Sequence, residues 1–260
     1  MALCGFCMND QRTKRRDVHH PLADGTVIPK LCLSCEARHR GICGALTAPE
    51  LVTLSKSAVK KTLHPGETVV GDSRDVLSYS NILSGVAKLS KTLPDGRQQI
   101  VGLQFAPDFL GRPFQKESHI DIEAATDISL CTFSRASVER MLNDSSEFKQ
   151  RLFDQTLEQL DEARDWMVTL GRKTAREKVA SFLLLVARHA DPEQQLEDDG
   201  PININLPLTR ADMADFLGLT IETVSRQLTA LRKAGIITLL DQRLVSIPEI
   251  ERLKAASGDD

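Results

Sequence analysis

Hydrophobic positions along this chain change period several times, and each change marks a different kind of element. Residues 45–57 read as a short helix, with Thr47 as cap, Pro49 near its start and Leu51 and Leu54 on one face. From about 58 to 134 the apolar residues come in short stretches broken by Gly, Pro and Asp: Glu67–Val70, Val76–Leu83, Gly85–Ser90, Gln99–Phe105 and Ile128–Phe133. Pro94-Asp-Gly96 between two of them is a hairpin turn signal. Many short strands at close spacing predict an antiparallel roll or barrel. From Ser134 the period becomes helical: a short helix to about Asn143, then a long one capped by Ser146. On the long helix Phe153, Thr156, Leu160, Ala163, Met167 and Leu170 alternate steps of three and four, with Glu158, Asp161, Glu162, Arg164 and Asp165 outside them. That is a coiled-coil seam, and a seam so narrow predicts pairing with a twin helix. Another amphipathic helix spans Arg176 to His189, and acidic residues Asp191 to Asp199 read as a surface loop.

The last third carries the most specific pattern. Ile202–Leu206 and Arg243–Ile247 alternate strictly and predict strands. Between them Thr209 caps a helix whose Met213, Phe216 and Leu217 form one apolar face. Gly218 stops it, because glycine accepts the left-handed backbone of a helix C-cap. Thr220 then caps a second helix with Val224 and Leu228 inward. Glu222, Ser225, Arg226 and Thr229 line its opposite side. This predicts a helix-turn-helix, with Gly235–Arg243 as a wing-like hairpin. Arg can take guanine O6 and N7 with two hydrogen bonds, Glu can accept from cytosine N4, and Ser can do either. Thr209, Thr220 and Thr223, at the two helix starts, complete the expected DNA-contacting set.

Composition changes this picture in two ways. With 41% hydrophobic and 27% charged residues, 260 residues suffice for about two soluble globular domains. The net charge is −3, and Leu208–Arg243 holds five Lys/Arg against four Asp/Glu, so any basic surface is local. A binder with so few cations needs a dimer to gather enough phosphate contacts. No run of 18 apolar residues spans a membrane, and the first 30 residues lack a secretory core, so a cytoplasmic protein is expected. No Gly-rich phosphate loop, nucleophile elbow or paired-carboxylate signature points to an enzyme.

Cysteine usage supplies the other candidate chemistry. Five of the six cysteines precede residue 44. Residues 1–44 are polar and loop-like, with Cys4-Gly-Phe-Cys7, the charged Lys14-Arg15-Arg16 and His19-His20, and then Cys32-x2-Cys35-x7-Cys43. Structural disulfides are not expected in the cytosol, and this spacing suits a tetrahedral metal or an iron–sulfur cube. Cys131, on the Ile128–Phe133 strand, is the cysteine available to complete a set of four with Cys32, Cys35 and Cys43. Two alternatives stay open: a zinc site made of Cys4, Cys7, Cys32 and Cys35, or a thiol switch in which the Cys-x-x-Cys pairs oxidise.

N-terminal cysteines, a β-roll, a long helix and then Glu222-Thr-Val-Ser-Arg226 in a winged helix resemble the CRP/FNR superfamily of bacterial transcription regulators from residue 32 onward. The four cysteines are similar to those of its oxygen-sensing FNR branch, of FnrL/FnrN type. The resemblance implies an α+β chain in four parts. These are a cluster-binding segment (1–44), an antiparallel, cyclic-nucleotide-binding-like β-roll (45–145), a dimerisation helix (146–171) and a winged helix-turn-helix (172–260). It implies a [4Fe–4S] cluster on Cys32, Cys35, Cys43 and Cys131, and a homodimer that binds double-stranded DNA at a palindromic FNR-type site when the cluster is present. It also implies base reading by Glu222, Ser225 and Arg226, and activation through RNA polymerase, with Arg112 to Ser118 as a candidate contact. Two features depart from the family pattern: Cys4 and Cys7 lie outside the set, and Ala163 stands where the family's dimer helix often has an acidic residue. The cyclic-nucleotide relatives' Gly-Glu and Arg-Ser/Thr pattern is missing from Phe109–Pro113 and Ile122–Ala125 apart from Arg112, so no cAMP binding is expected.

Overall fold

The computed structural model describes residues 27–33, 35–71, 75–190 and 200–258. Cys4, Cys7, Lys14–Arg16, His19, His20 and the 191–199 loop lie outside the described residues. The cysteine segment, expected as loop, folds into short helical turns: α1 (Lys30–Leu33), α2 (Glu36–His39) and a 3-10 turn (Ile42–Ala45). One turn apiece is too little for a 3.6-residue period to register. Helix α3 (Ala48–Ser55) follows, with a capping box between Thr47 and Glu50 and with Leu51 and Leu54 buried.

Eight strands build the roll: β1 (Val59–Leu63), β2 (Thr68–Val70), β3 (Ser78–Ser84), β4 (Val86–Thr92), β5 (Gln98–Phe105), β6 (Phe109–Leu110), β7 (Asp121–Ala124) and β8 (Ile128–Ser134). They form two antiparallel four-stranded sheets, ordered β1-β8-β3-β6 and β2-β7-β4-β5. Ile82, Leu110, Ile122, Ile128 and Leu130 fill the space between them. The sequence pattern misses β1, β6 and β7. β1 is an edge strand with four exposed residues, Val59-Lys-Lys-Thr62, so burial imposes no alternation on it. Leu93 to Arg97 make the expected hairpin turn, closed by Leu93 N donating to Arg97 O at 2.8 Å.

Helix α4 (Arg135–Asp144) leads into α5 (Ser146–Arg172), the long helix. Its cap is Ser145 rather than Ser146: Ser145 Oγ accepts from Phe148 N at 3.5 Å. One core holds Cys32, Ile42, Cys43, Leu51, Tyr79, Cys131, Phe133 and Phe148 together, so the cysteine turns, the roll and the start of α5 share packing. Helix α6 (Ala175–Ala190), β9 (Ile202–Asn205), α7 (Arg210–Leu217), α8 (Ile221–Lys233), β10 (Thr238–Leu239), β11 (Leu244–Ile247) and α9 (Ile250–Ser257) make the winged helix, with sheet order β10-β11-β9.

The winged helix docks on the roll. Ile100, Leu103 and Phe105 of β5 belong to the same core as Phe182, Phe216 and Leu228, and Trp166 of α5 meets Phe216 with ring centroids 4.5 Å apart. Lys88 Nζ of β4 donates to Asp212 Oδ1 of α7 at 2.7 Å and lies 3.4 Å from Glu123 Oε2. These side chains are only 13%, 20% and 29% exposed, so water screens the contact weakly. Lys88→Met keeps the aliphatic stem and leaves Asp212 and Glu123 without their cation. Unfolding free energy is then expected to drop by about 1–3 kcal/mol, measured by urea denaturation; an unchanged midpoint would mean the contact adds no stability.

Candidate DNA interface and cysteine site

Helix α7 begins at Thr209, whose hydroxyl donates to Asp212 Oδ2 at 2.6 Å while accepting from Asp212 N at 3.1 Å. Gly218 ends it with φ 61°, a left-handed conformation that costs other residues a steric penalty. Thr220 Oγ1 then accepts from Thr223 N at 3.2 Å and donates to Thr223 Oγ1 at 3.1 Å, starting α8. Val224, Leu228 and Leu231 are buried, so the face is fixed: Glu222, Ser225 and Arg226 are exposed on the outer side. Thr229 is half-buried, and its hydroxyl is given to Ser225 O at 2.9 Å. The outer face of α8 thus presents an acceptor, a hydroxyl and a guanidinium in one stripe, the functional groups that read base edges.

A basic cleft beside this face was not singled out from the sequence. Leu208, Thr209, Arg210, Gln242 and Arg243 line it, between the start of α7 and the wing. Burial lowers the pKa of Arg210; its guanidinium donates to Gln242 O at 3.1 Å and to Met213 Sδ at 3.4 Å. Two arginines beside a helix N-terminus suit a phosphate. The signal was present only as two cations 33 residues apart, and the hairpin brings them together.

At the other end of the molecule, Cys32, Cys35, Cys43 and Cys131 line one cleft with Arg38, Leu51, Ser55, Asn81 and Phe133. Cys32, Cys43 and Cys131 are buried and Cys35 is half-buried. Burial pushes the Cys43 thiol up to about 12; the Asn81 hydrogen bond opposes this, and repulsion from Cys131, Cys35 and Cys32 adds to it. Burial, then Cys35 and Cys32, push Cys131 up to about 12 as well, and Cys32 is raised by burial and by Cys35. Each buried thiol therefore feels other members of the set. Among the described residues, no three His, Cys, Asp or Glu side chains converge tightly enough to hold one metal ion. The cysteine turns also reach the long helix: Arg151 Nη2 donates to Arg40 O at 2.5 Å, and the 3-10 turn packs on α5.

The predicted seam of α5 faces outward. Phe153 is 55% exposed, Leu160 44% and Met167 72%; Thr156 and Ala163 are exposed too, and Leu170 is half-buried. Leu157 and Val168 join the stripe, at 42% and 59%. Glu162, expected on the outer side, instead points toward the roll: burial raises its pKa, with His189 and Asp108 among its charged neighbours. Its turn of the helix lines a cleft with Leu184, Leu185 and Arg188 of α6, a tertiary contact that the local period does not encode.

Within the roll lies a cavity of about 430 Å³, lined by Val76, Leu89, Ser118 and Ile122 and by Leu152, Thr156 and Gln159 of α5, with Arg112 exposed at its rim. Residues 60–145 match the cyclic nucleotide-binding domain family, and residues 177–256 match the Crp-like helix-turn-helix domain family. A probable transcriptional activator of Rhizobium leguminosarum is 49% identical over 88% of this chain and 94% of its own length. The transcriptional activator protein FnrL of Cereibacter sphaeroides is 43% identical over 88% and 92%. The solved structure of FixK2 from Bradyrhizobium japonicum aligns with TM-score 0.68 and 30% identity, covering 76% of this chain and 96% of that one. Among the described residues no helix is long and apolar enough to cross a membrane. With its roll, long helix and winged helix-turn-helix in this order, the chain belongs to the CRP/FNR family and is a DNA-binding transcriptional regulator of the FNR and FixK activator type.

Proposed function

We propose that this protein is a cytoplasmic, oxygen-responsive transcription activator in which a [4Fe–4S] cluster on Cys32, Cys35, Cys43 and Cys131 controls homodimerisation and DNA binding. The observation that carries this reading is the cleft: four thiols from separate segments line one space whose wall packs on the long helix. The donor set fits the group. The lining holds four sulfurs and no carboxylate or imidazole, and it contains a buried amide, Asn81, whose Nδ2 donates to Cys43 Sγ at 3.2 Å. A cube spreads its thiolates over four irons, wider than one tetrahedral zinc does. When bound, the cluster supplies an oxygen-labile tie between these cysteines, as in the oxygen-sensing branch of the family.

The chain's own residues carry the rest. Cys43 lies in the turn Ile42–Ala45, and Arg151 of α5 holds the carbonyl of Arg40 just before it. Fixing the turn therefore fixes the first half of α5 and the stripe from Phe153 to Met167 that meets the partner helix. Pairing then sets two copies of α8 about 34 Å apart, one DNA turn. Glu222, Ser225 and Arg226 read bases, while Thr209, Thr220, Thr223 and Arg210 lie where phosphates run. RNA polymerase is the partner for activation, and cyclic AMP is not expected to alter operator affinity.

Three measurements bear on this reading. Iron, acid-labile sulfide and zinc are to be assayed in protein purified without oxygen and again after air exposure. About four iron and four sulfide per chain, lost in air, are expected; one zinc without iron would reduce the cysteines to a structural role. Arg226→Ala should weaken operator binding by roughly 1–3 kcal/mol per half-site and relax one base position, whereas unchanged binding at matched salt would remove Arg226 from recognition. Arg210→Ala should instead weaken all sequences alike and reduce the salt slope by about one per half-site; a sequence-selective loss would place it on a base.

A further inference from the structure

We infer that Asn81 tunes the stability of the cluster toward oxygen by donating a hydrogen bond to the Cys43 sulfur, an inference that rests on the cluster reading above. Asn81 is 1% exposed in the middle of β3, a position where asparagine is disfavoured and an unpaired amide is costly. Its Nδ2 donates to Cys43 Sγ at 3.2 Å, and its Oδ1 has no partner among the described residues. An apolar side chain would avoid the orphaned oxygen. The amide is therefore hard to explain by packing, and its contacts point to the cleft instead.

Register strengthens the case. Asn81 pairs directly with Cys131 across the β3–β8 ladder, so it stands beside two cysteines of the set at once. The other uncharged polar side chain of the cleft, Ser55, gives its hydroxyl to Val52 O at 2.8 Å. Amide orientation follows from chemistry: a thiolate only accepts, so a cluster-bearing Cys43 can face Nδ2 but not Oδ1. The amide N–H then draws charge from the sulfur. That favours the more reduced, more negative state, raises the reduction potential and makes electron loss to dioxygen harder.

Asn81→Leu keeps the branching at Cγ and removes the donor at the cost of added bulk, and Asn81→Ala removes it without overpacking. Asn81→Gln keeps an amide donor on a longer stem. Each is purified without oxygen, assayed for iron and sulfide, then exposed to air while its visible iron–sulfur absorbance is followed; the reduction potential is measured on the intact samples. Leucine and alanine variants should lose the absorbance on the order of ten times faster than wild type, at a lower potential, with the glutamine variant slowed back toward wild type. A wild type that carries neither iron nor sulfide would sink the cluster reading itself. A loaded wild type whose leucine and alanine variants decay at the same rate and potential would overturn only the role of Asn81. Equal faults in all three variants, glutamine included, would likewise refute donation and leave Asn81 as packing.

Discussion

Cys43→Ser should strip the anaerobic protein of its iron and erase the difference in operator affinity between anaerobic and aerated samples. The change is small in volume, and the site is buried at 6% exposure in the core shared by the roll and α5. A neutral hydroxyl fits there as the neutral thiol does, because burial already holds that thiol protonated up to about pH 12. Serine replaces it poorly as a ligand, since a ligating cysteine is a thiolate whereas the far less acidic serine hydroxyl stays protonated. The switch is expected to span about 1–3 kcal/mol, or roughly 5–150-fold in affinity, and the variant should lose all of it. Operator binding by fluorescence anisotropy at fixed salt, with and without air, reads the effect. Cys35→Ser, at the half-buried member of the set, should give the same outcome with less disturbance of the core. An oxygen response that survives in both variants would take these cysteines out of the ligand set.

Leu160→Asp has the second large effect, on assembly. Leu160 sits mid-stripe between Phe153, Leu157, Met167 and Val168, all outward and apolar, while Phe148 and Thr169 are the helix residues buried in their own protomer. Five large apolar side chains exposed on one helix face are best explained by a partner helix. An aspartate there would face its own symmetry mate, so dimerisation costs both desolvation and repulsion. The monomer should keep its fold, which circular dichroism checks. The dimer dissociation constant should rise by at least about a hundredfold, and operator affinity should drop by about 10²–10⁴ as the two half-sites cease to be read together. Sedimentation equilibrium and anisotropy provide the numbers. A variant that remains dimeric would move the interface off α5. The local balance of five cations to four anions in Leu208–Arg243 makes this dependence on pairing steep, since one copy gathers few phosphates.

How much could be read in advance differs by element. The helix-turn-helix was legible to the residue: Thr209, Gly218 and Thr220 act as caps and stop, and Val224 and Leu228 are buried. The outward stripe of α5 was legible too, except that Leu157 and Val168 join it and Leu170 is half-buried. Weakly patterned strands were not: β7 has only Ile122 and Ala124 buried, two residues against the flanking acids Asp121 and Glu123. The candidate cysteine set was suggested by spacing for Cys32, Cys35 and Cys43, while Cys131, a lone strand cysteine, entered as the one available to complete a set of four, and the family resemblance implied its role.

By itself, then, the sequence determined the elements whose code is local. Caps, stops and amphipathic faces act within one or two turns, so their signals lie within a few residues of one another. Only the tertiary structure decided what meets across the chain. Sheet closure sets Asn81 opposite Cys131 and brings both to Cys43. Docking of the winged helix on the roll pairs Lys88 with Asp212, and the wing brings Arg243 beside Arg210. Such contacts join residues tens to more than a hundred positions apart. Each partner alone looks like an ordinary surface cation, a strand asparagine or a small core thiol, and only strand register and helix packing give it a role.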